Sequence, residues 1–223
     1  MSKEDLTFKA CDRMVRDFED VIKKPVREPS SVYYTGVDLG TACVGLAVLD
    51  EHLRPVAGTF RYADVVRDGM VVDYIGAIRI VREMKEELEE KLGSQLIYAA
   101  AAIPPGTDAL DSGAIKNVVQ GAGFEITALP DEPTAANAVL NIRNGAVVDI
   151  GGGTTGISVL KDGKVVYVAD EPTGGTHFSL VIAGAYKMSF ADAEIYKRDK
   201  KNHKELLPVL KPVIEKVSSI ISR

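Results

Sequence analysis

Apolar residues change their spacing several times along this chain, and each change predicts an element. Residues 4 to 24 carry apolar side chains at helical spacing among charged ones, which predicts an amphipathic helix that ends before Pro25. Between residues 32 and 49, two apolar runs flank DLGTA, which predicts strand, tight turn and strand. A further strand is expected at residues 56–60, and the Asp68-Gly69 pair predicts a hairpin within residues 65–72.

The middle of the chain alternates helix and strand. Residues 75–92 carry one apolar stripe at helical spacing, made of Ala77, Val81, Met84, Leu88 and Leu92. This stripe predicts a helix with Gly93 as its C-cap. LIYAAAAIP and FEITAL predict strands, and the helix between them is expected to have Asp111 as its N-cap. DEPTAANAVL predicts a helix with Pro133 in its first turn.

The remaining third begins with three strands, predicted over GAVVDI, GISVL and VVYVA. Helices are expected from about His177 to Gly184 and from Ser189, where Asp192 stands at capping-box spacing. The final segment, ELLPVLKPVIEKVSSIISR, predicts a helix that stops without a cap, so we expect a truncated end.

An internal repeat organises these elements. VVDIGGGTTGISVL (residues 147–160) aligns without a gap on GVDLGTACVGLAVL (residues 36–49), which places Asp38 on Asp149 and Gly45 on Gly156. Each copy lies in a strand–turn–strand hairpin, so we predict two related α/β halves with a cleft between them. The expected division is a helical extension and linker at 1–31, a first domain at 32–143 and a second at 144–223.

Composition narrows the class of protein. Hydrophobic residues at 46% and charged residues at 26% are ordinary globular values. A net charge of −5 without a long basic run argues against a nucleic-acid partner. The charged N-terminus is no secretion signal, and no apolar run reaches membrane-spanning length. Cys11 and Cys43 offer neither a disulfide framework nor metal-ligand spacing, so we expect a cytoplasmic protein. Because no run could span a membrane, we expect no membrane partner.

The repeated turns carry the candidate chemistry. GxxxxGK[ST] is absent, and the glycine loop leads into a strand rather than a helix, so phosphate binding at a helix N-terminus is not predicted. Glycines with positive φ can instead converge their N–H groups into an anion nest. Asp38 and Asp149 could orient waters around Mg²⁺. The alternative is that these Asp-Gly turns only close hairpins.

Taken together, these motifs resemble the actin, sugar-kinase and DnaK-type chaperone superfamily. The two glycine turns are similar to its phosphate loops, and DEPTAANAV, GGTHFSLVIAG and AEIYKR resemble its connecting helix, its glycine pair and its ribose- and base-binding helix. The resemblance implies an actin-like ATPase fold of duplicated, ribonuclease H-like α/β domains with an interdomain nucleotide cleft.

The same resemblance implies roles for individual residues. Asp38 and Asp149 would hold Mg²⁺ through water, and Glu132 would help to place the metal or the attacking water. The alternative is that Glu132 is only an acid that stabilises the start of its helix. The residues expected to hold ATP are Gly40, Thr41, Gly151, Gly152, Gly153, Thr154, Thr155, Gly174, Gly175, Glu194, Lys197 and Arg198. By spacing alone, Glu194 and Lys197 could form a surface ion pair.

Within the superfamily, ADVVRDGMVVDYIGA, IPPGTDA and LDEPTAANAV resemble chaperone-like proteins of ethanolamine utilisation. That resemblance implies ethanolamine-catabolism enzymes or bacterial microcompartment shell proteins as partners, and a homo-oligomer is possible. Residues 39–50 contain no Lys or Arg, so at most a slow Mg-dependent ATPase is expected. The alternatives are a nucleotide-binding scaffold without turnover and a reactivation-type factor for a cobalamin-dependent ammonia-lyase. A small-molecule kinase is less favoured, because the first domain has little insertion from which to build a sugar pocket.

Overall fold

The structure, a computed structural model, describes residues 3–26, 28–67 and 69–222, with side chains from residue 8 onward in these ranges. Its helices are α1 (Lys3–Lys23), α2 (Tyr74–Leu92), α3 (Ala109–Gly121), α4 (Glu132–Leu140), α5 (Gly175–Tyr186), α6 (Phe190–Arg198) and α7 (His203–Ile221). Its strands are β1 (Tyr34–Leu39), β2 (Cys43–Leu49), β3 (Pro55–Tyr62), β4 (Val66–Arg67), β5 (Met70–Val71), β6 (Tyr98–Ala101), β7 (Glu125–Ala128), β8 (Gly145–Ile150), β9 (Thr155–Lys161) and β10 (Lys164–Glu171).

The first sheet has five strands in the order β3-β2-β1-β6-β7. β1, β2 and β3 pair antiparallel, whereas β6 and β7 run parallel to β1. Side chains of β1 alternate between exposed and buried, as a strand with one face on a core requires. Helices α2 and α3 supply the other side of that core. Of the predicted stripe, Ala77, Val81, Met84 and Leu88 are fully buried in it and Leu92 is partly buried.

The second sheet is smaller, with the order β10-β9-β8 and antiparallel pairing throughout. Beside it, α5, α6 and α7 share a separate apolar cluster around Ile182, Ala193, Leu206 and Leu210. α7 stays helical although Pro208 and Pro212 lie inside it. Both prolines face solvent, and its buried residues recur every three or four positions, so packing of one face offsets the backbone hydrogen bonds that proline cannot make.

Helix α1 packs across the edge of the first sheet. The ring of Phe18 lies over Gly58 of β3, where a Cβ atom would come within 2.5 Å of it. The Cys11 thiol donates a hydrogen bond of 3.0 Å to the carbonyl of Val139 in α4. α1 is therefore part of the folded body, as its amphipathic pattern predicted.

The structure corrects two predicted helix boundaries. Asp108, rather than Asp111, is the N-cap of α3, because its side chain accepts hydrogen bonds from the N–H groups of Leu110 and Asp111. α5 begins at Gly175, two residues before the expected start, because the N–H groups of its first turn bond to the glycine loop described below.

The predicted hairpin forms between β4 and β5, although Asp68 of its turn lies outside the described residues. None of the described helices combines the length and apolar composition that a membrane span requires.

Candidate functional site

The repeat seen in the sequence is reproduced in the strand pairing. In the β1–β2 hairpin, Asp38 faces Gly45. In the β8–β9 hairpin, Asp149 faces Gly156, which is the equivalent pair. The two hairpins therefore share one register, and each carries its aspartate in the last part of the first strand, just before its turn.

The two turns lie against each other. A Cβ atom on Gly152 would be 2.8 Å from Cβ and 2.9 Å from the backbone nitrogen of Ala42. A Cβ atom on Gly153 would be 2.6 Å from Oγ1 of Thr41. Contacts under 3.0 Å are too short for a real side chain, so only glycine permits this approach. The predicted meeting of the two loops at one crevice is confirmed.

The reason for the glycines differs from the one expected. None of Gly40, Gly151, Gly152, Gly153, Gly174 and Gly175 has a φ in the left-handed region, so the expected nest built on positive φ is wrong. Close approach of another backbone segment explains Gly40, Gly152 and Gly174 instead, whereas a Cβ atom on Gly151 or Gly175 would make only ordinary contacts. A Cβ atom on Gly174 would lie 2.5 Å from the carbonyl oxygen of Gly151, and one on Gly40 would lie 3.0 Å from that of Cys43.

Helix α5 is joined directly to the second glycine loop. The N–H of Gly175 donates to the carbonyl of Gly151 at 2.8 Å, and the N–H of Thr176 donates to that of Gly152 at 2.8 Å. The Gly174–Gly175 pair thus borders the second glycine loop, and its expected contact with the nucleotide stays a prediction. These bonds also satisfy donors that a helix N-terminus otherwise leaves unpaired.

Four carboxyl groups gather where the two sheets meet. Burial raises the pKa of Asp38 to about 6, and the charge of Asp149 adds to this shift. Burial likewise raises the pKa of Asp149 and of Asp170, although the nearby Thr154 hydroxyl opposes the shift of Asp170. The pKa of Glu132 rises to about 8, first through burial and then through the charges of Asp38 and Asp149. These acids resist ionising together, as carboxylates held close in a partly dry site do.

Glu132 reaches this cluster because of how α4 begins. Asp131 is the N-cap of α4 and accepts a hydrogen bond of 2.9 Å from the N–H of Thr134. The N–H of Glu132 donates to the carbonyl of Ile103, just beyond β6, at 2.9 Å. In the described part of the chain, no three His, Cys, Asp or Glu side chains are arranged to hold a metal ion directly.

The three predicted residues of α6 form one polar network. The Lys197 ammonium donates to Glu194 Oε2 at 2.8 Å, to the Ser179 hydroxyl at 2.8 Å and to the carbonyl of Gly175 at 3.0 Å. Arg198 pairs with the other carboxylate oxygen of Glu194 at 3.1 Å. The ion pair considered from spacing is therefore present, and it also ties α6 to the start of α5.

A cavity of about 800 Å³ opens beside these groups. Thr41 and Gly152 line it on the side of the two turns, and Glu194, Lys197 and Arg198 line it on the side of α6. Its volume is in the range of small-molecule sites. The structure thus brings Thr41, Gly152, Gly175 and the three α6 residues to one cavity. The predicted residues that do not line it include Gly40, Gly151, Gly153, Thr154 and Gly174.

Thr155 is the predicted residue that points away. Its side chain is fully buried, and its hydroxyl donates a hydrogen bond of 2.6 Å to the carbonyl of Thr173. This arrangement gives Thr155 a structural role between β9 and the segment that precedes α5. Its neighbour Thr154 instead contacts Asp170 in the carboxyl cluster.

Sequence reasoning missed three residues. Asp170, at the end of β10, joins the carboxyl cluster, and Tyr62, at the end of β3, contacts Arg198. His177 lines the cavity, and its Nδ1 accepts a hydrogen bond of 3.2 Å from the N–H of Gly174. The repeat pairs Asp170 with Thr59, so the doubled pattern gave no signal for this carboxylate.

A repeated strand–turn–strand unit, parallel strands added to its first copy and a cleft where the two turns meet define an actin-like ATPase fold. In agreement, residues 56–207 match the family described as MreB/Mbl protein. MreB 5 of Spiroplasma citri, solved bound to AMPPNP, aligns with a TM-score of 0.69 at 17% identity, over 86% of this chain and 78% of that one.

Two further comparisons are much closer. The chain is 48% identical over 190 residues to ethanolamine utilization protein EutJ of Salmonella typhimurium. The aligned residues cover 85% of this chain and 66% of the relative. The crystal structure of EutJ from Carboxydothermus hydrogenoformans aligns with a TM-score of 0.89 at 50% identity, over 96% of this chain and 79% of that one. The chain belongs to the EutJ family. It spans about two thirds of the length of the Salmonella relative.

Proposed function

We propose that this chain binds ATP with Mg²⁺ in its cleft and serves ethanolamine utilisation as a chaperone-like protein. The observation that carries the proposal is the contact between Gly152–Gly153 and Thr41–Ala42, which brings two equivalent hairpins to one point. A polyphosphate placed there would touch both halves of the molecule. The fold of MreB 5, solved bound to AMPPNP, supports the same ligand class.

The residues at the junction suit a nucleotide with its metal ion. Bare backbone at Gly40, Thr41, Gly151–Gly153 and Thr154 would face the phosphates, and Asp38 and Asp149 would orient water on Mg²⁺. The raised pKa values of these aspartates fit that role, because a nearby cation would favour their ionised forms. When bound, Mg²⁺ would offset the negative charge of the phosphates. Glu194, Lys197 and Arg198 would contact the ribose or base.

Calorimetry with ATP, in the presence and absence of Mg²⁺, tests binding by the 223-residue chain. We expect heat and thermal stabilisation with Mg-ATP, and an affinity at least about tenfold lower in Asp149→Asn. Asp162→Asn is the matched control, since Asp162 lies in the exposed β9–β10 turn. The proposal fails if Mg-ATP gives neither heat nor stabilisation, or if both variants lose affinity equally.

Binding without turnover is the second candidate. Residues 39–50 contain no Lys or Arg that could offset charge on a transferring phosphoryl group, which favours a scaffold or at most a slow ATPase. Phosphate release distinguishes the two: a wild-type rate equal to that of Asp149→Asn favours the scaffold, and a higher wild-type rate favours the ATPase.

Membership of the EutJ family supports ethanolamine-catabolism enzymes or microcompartment shell proteins as partners. A reactivation-type factor for a cobalamin-dependent ammonia-lyase is the related alternative. Capture of partners from ethanolamine-grown cells with wild-type and Asp149→Asn chains tests the assignment. Nucleotide-dependent recovery of shell proteins would favour assembly, recovery of the lyase would favour reactivation, and recovery of neither would contradict a chaperone role.

A further inference from the structure

Tyr62 makes a contact across the cleft that the roles proposed above do not use. It is the last residue of β3 in the first sheet, and its side chain is 60% exposed. The guanidinium carbon of Arg198, in α6, lies 4.6 Å from the centroid of the Tyr62 ring, and Nη1 of Arg198 donates a hydrogen bond to the Tyr62 hydroxyl. Both residues line the 800 Å³ cavity, one on each wall.

Arg198 is fixed from its other side as well. Its Nε and Nη2 atoms donate to Glu194 Oε1 at 3.2 and 3.1 Å. Glu194 is in turn held by Lys197, whose ammonium reaches the carbonyl of Gly175. A continuous set of polar contacts therefore runs from Tyr62 at the end of β3, through α6, to Gly175. The N–H of Gly175 in turn donates to the carbonyl of Gly151 in the glycine loop.

Core packing does not account for this arrangement. A side chain with 60% of its surface exposed contributes little to the core, yet its ring faces a cation supplied by a distant part of the chain. The guanidinium is planar and offers both stacking and directed N–H groups, which a lysine would not. The contact exists only while the end of β3 and α6 are close together.

We propose that Tyr62 is a positioning residue of the cleft, which orients Arg198 and favours the closed arrangement of β3 and α6. The part of the proposal that concerns ligand release rests on the proposed function, because it needs a nucleotide in the cavity. The closing contact itself does not depend on a ligand. A ligand that touches both walls would leave more slowly while Tyr62 and Arg198 remain in contact.

Amide hydrogen exchange of residues 190–198, measured on the whole chain without nucleotide, tests the contact. We expect exchange to be about two- to fivefold faster in Tyr62→Ala, since an exposed cation–π contact has that strength. Tyr62→Phe keeps the ring but loses the hydroxyl, so its exchange should be intermediate. Tyr167→Ala, which removes an equally exposed tyrosine from β10, should leave α6 unchanged. Unchanged exchange of α6 in Tyr62→Ala would overturn the proposal.

A fluorescent ATP analogue with Mg²⁺ supplies the second measurement. Its dissociation should be about two- to fivefold faster from Tyr62→Ala and from Arg198→Lys than from wild type, with Tyr167→Ala as the control. Equal dissociation from wild type and Tyr62→Ala, with α6 exchange changed, would overturn the role in ligand release alone. If the analogue binds no variant while α6 exchange still responds to Tyr62→Ala, the proposed function fails and the cross-cleft contact stands.

Discussion

Glu132 provides a direct test of the carboxyl cluster through stability. In Glu132→Gln the side chain keeps its shape and cannot ionise. The folded chain raises the pKa of Glu132 from its usual 4.5 to about 8, so ionisation of this group opposes folding. The penalty is absent below pH 4.5, where the group is protonated in both states. It grows as pH rises from 4.5 to 8 and is complete above 8.

The magnitude follows from the same two values. At about 1.4 kcal/mol for each pH unit, the interval from 4.5 to about 8 sets an upper limit of about 5 kcal/mol. Glu132 is only half-buried, and solvent screening reduces this to about 2–3 kcal/mol. Glu132→Gln should therefore match wild type near pH 4.5, exceed it at pH 6.5, and exceed it by the full amount at pH 8.5.

Urea unfolding of both chains at these three pH values, without nucleotide or divalent cation, measures the difference in unfolding free energy. Glu125→Gln is the control, because Glu125 lies exposed on β7, away from the cluster. It should show no difference that grows with pH. A Glu132→Gln difference that is the same at pH 4.5 and 8.5 would refute the argument that buried, mutually repelling carboxyls line the cleft.

Three further predictions concern the cleft. Gly152→Ala forces the two turns apart, because its Cβ would be 2.9 Å from the Ala42 nitrogen. We expect urea unfolding to show a stability loss of about 1–3 kcal/mol and calorimetry to show weaker Mg-ATP binding. Gly113→Ala, with open space around it, should change neither quantity. Thr155→Val should cost about 1–3 kcal/mol of stability and spare Mg-ATP affinity, whereas Thr154→Val should do the reverse. Binding of Mg-ATP at pH 7 should release a proton from Glu132, visible as a calorimetric heat that depends on the buffer and disappears in Glu132→Gln.

The hairpins were predictable because their information is local. Alternating apolar residues fix which side of each strand faces a core, and the ungapped repeat fixes equivalent turns at Asp38 and Asp149. The N-cap of α3 shows the limit of such signals. Asp108 and Asp111 stand three residues apart, and either could begin a helix. The observed cap is Asp108, and the first turn then places Leu110 in solvent at 84% exposure, which no pattern based on burial would predict.

The cleft was predictable only in part, because distances between remote segments are set by packing. The glycines were expected from the repeat, but their purpose was not. Gly152 and Gly153 are needed because another backbone segment, at Thr41–Ala42, comes close to them. Thr154 and Thr155 are adjacent and chemically identical, yet one meets Asp170 and the other is buried against Thr173. Tyr62 has no motif of its own and gains its role only because α6 lies opposite.

Glu132 also connects the two halves energetically. Asp38 belongs to the first sheet and Asp149 to the second, and both charges raise the pKa of this one carboxyl group. Any movement that separates the sheets would weaken at least one of these repulsions and lower the pKa of Glu132. By linkage, a proton on Glu132 must then favour the closed arrangement, and a cation that replaces the proton would favour it in the same way. Repulsion among these carboxylates destabilises the folded chain when the cleft holds no cation. The same repulsion makes the cleft suited to close on a positively charged ion.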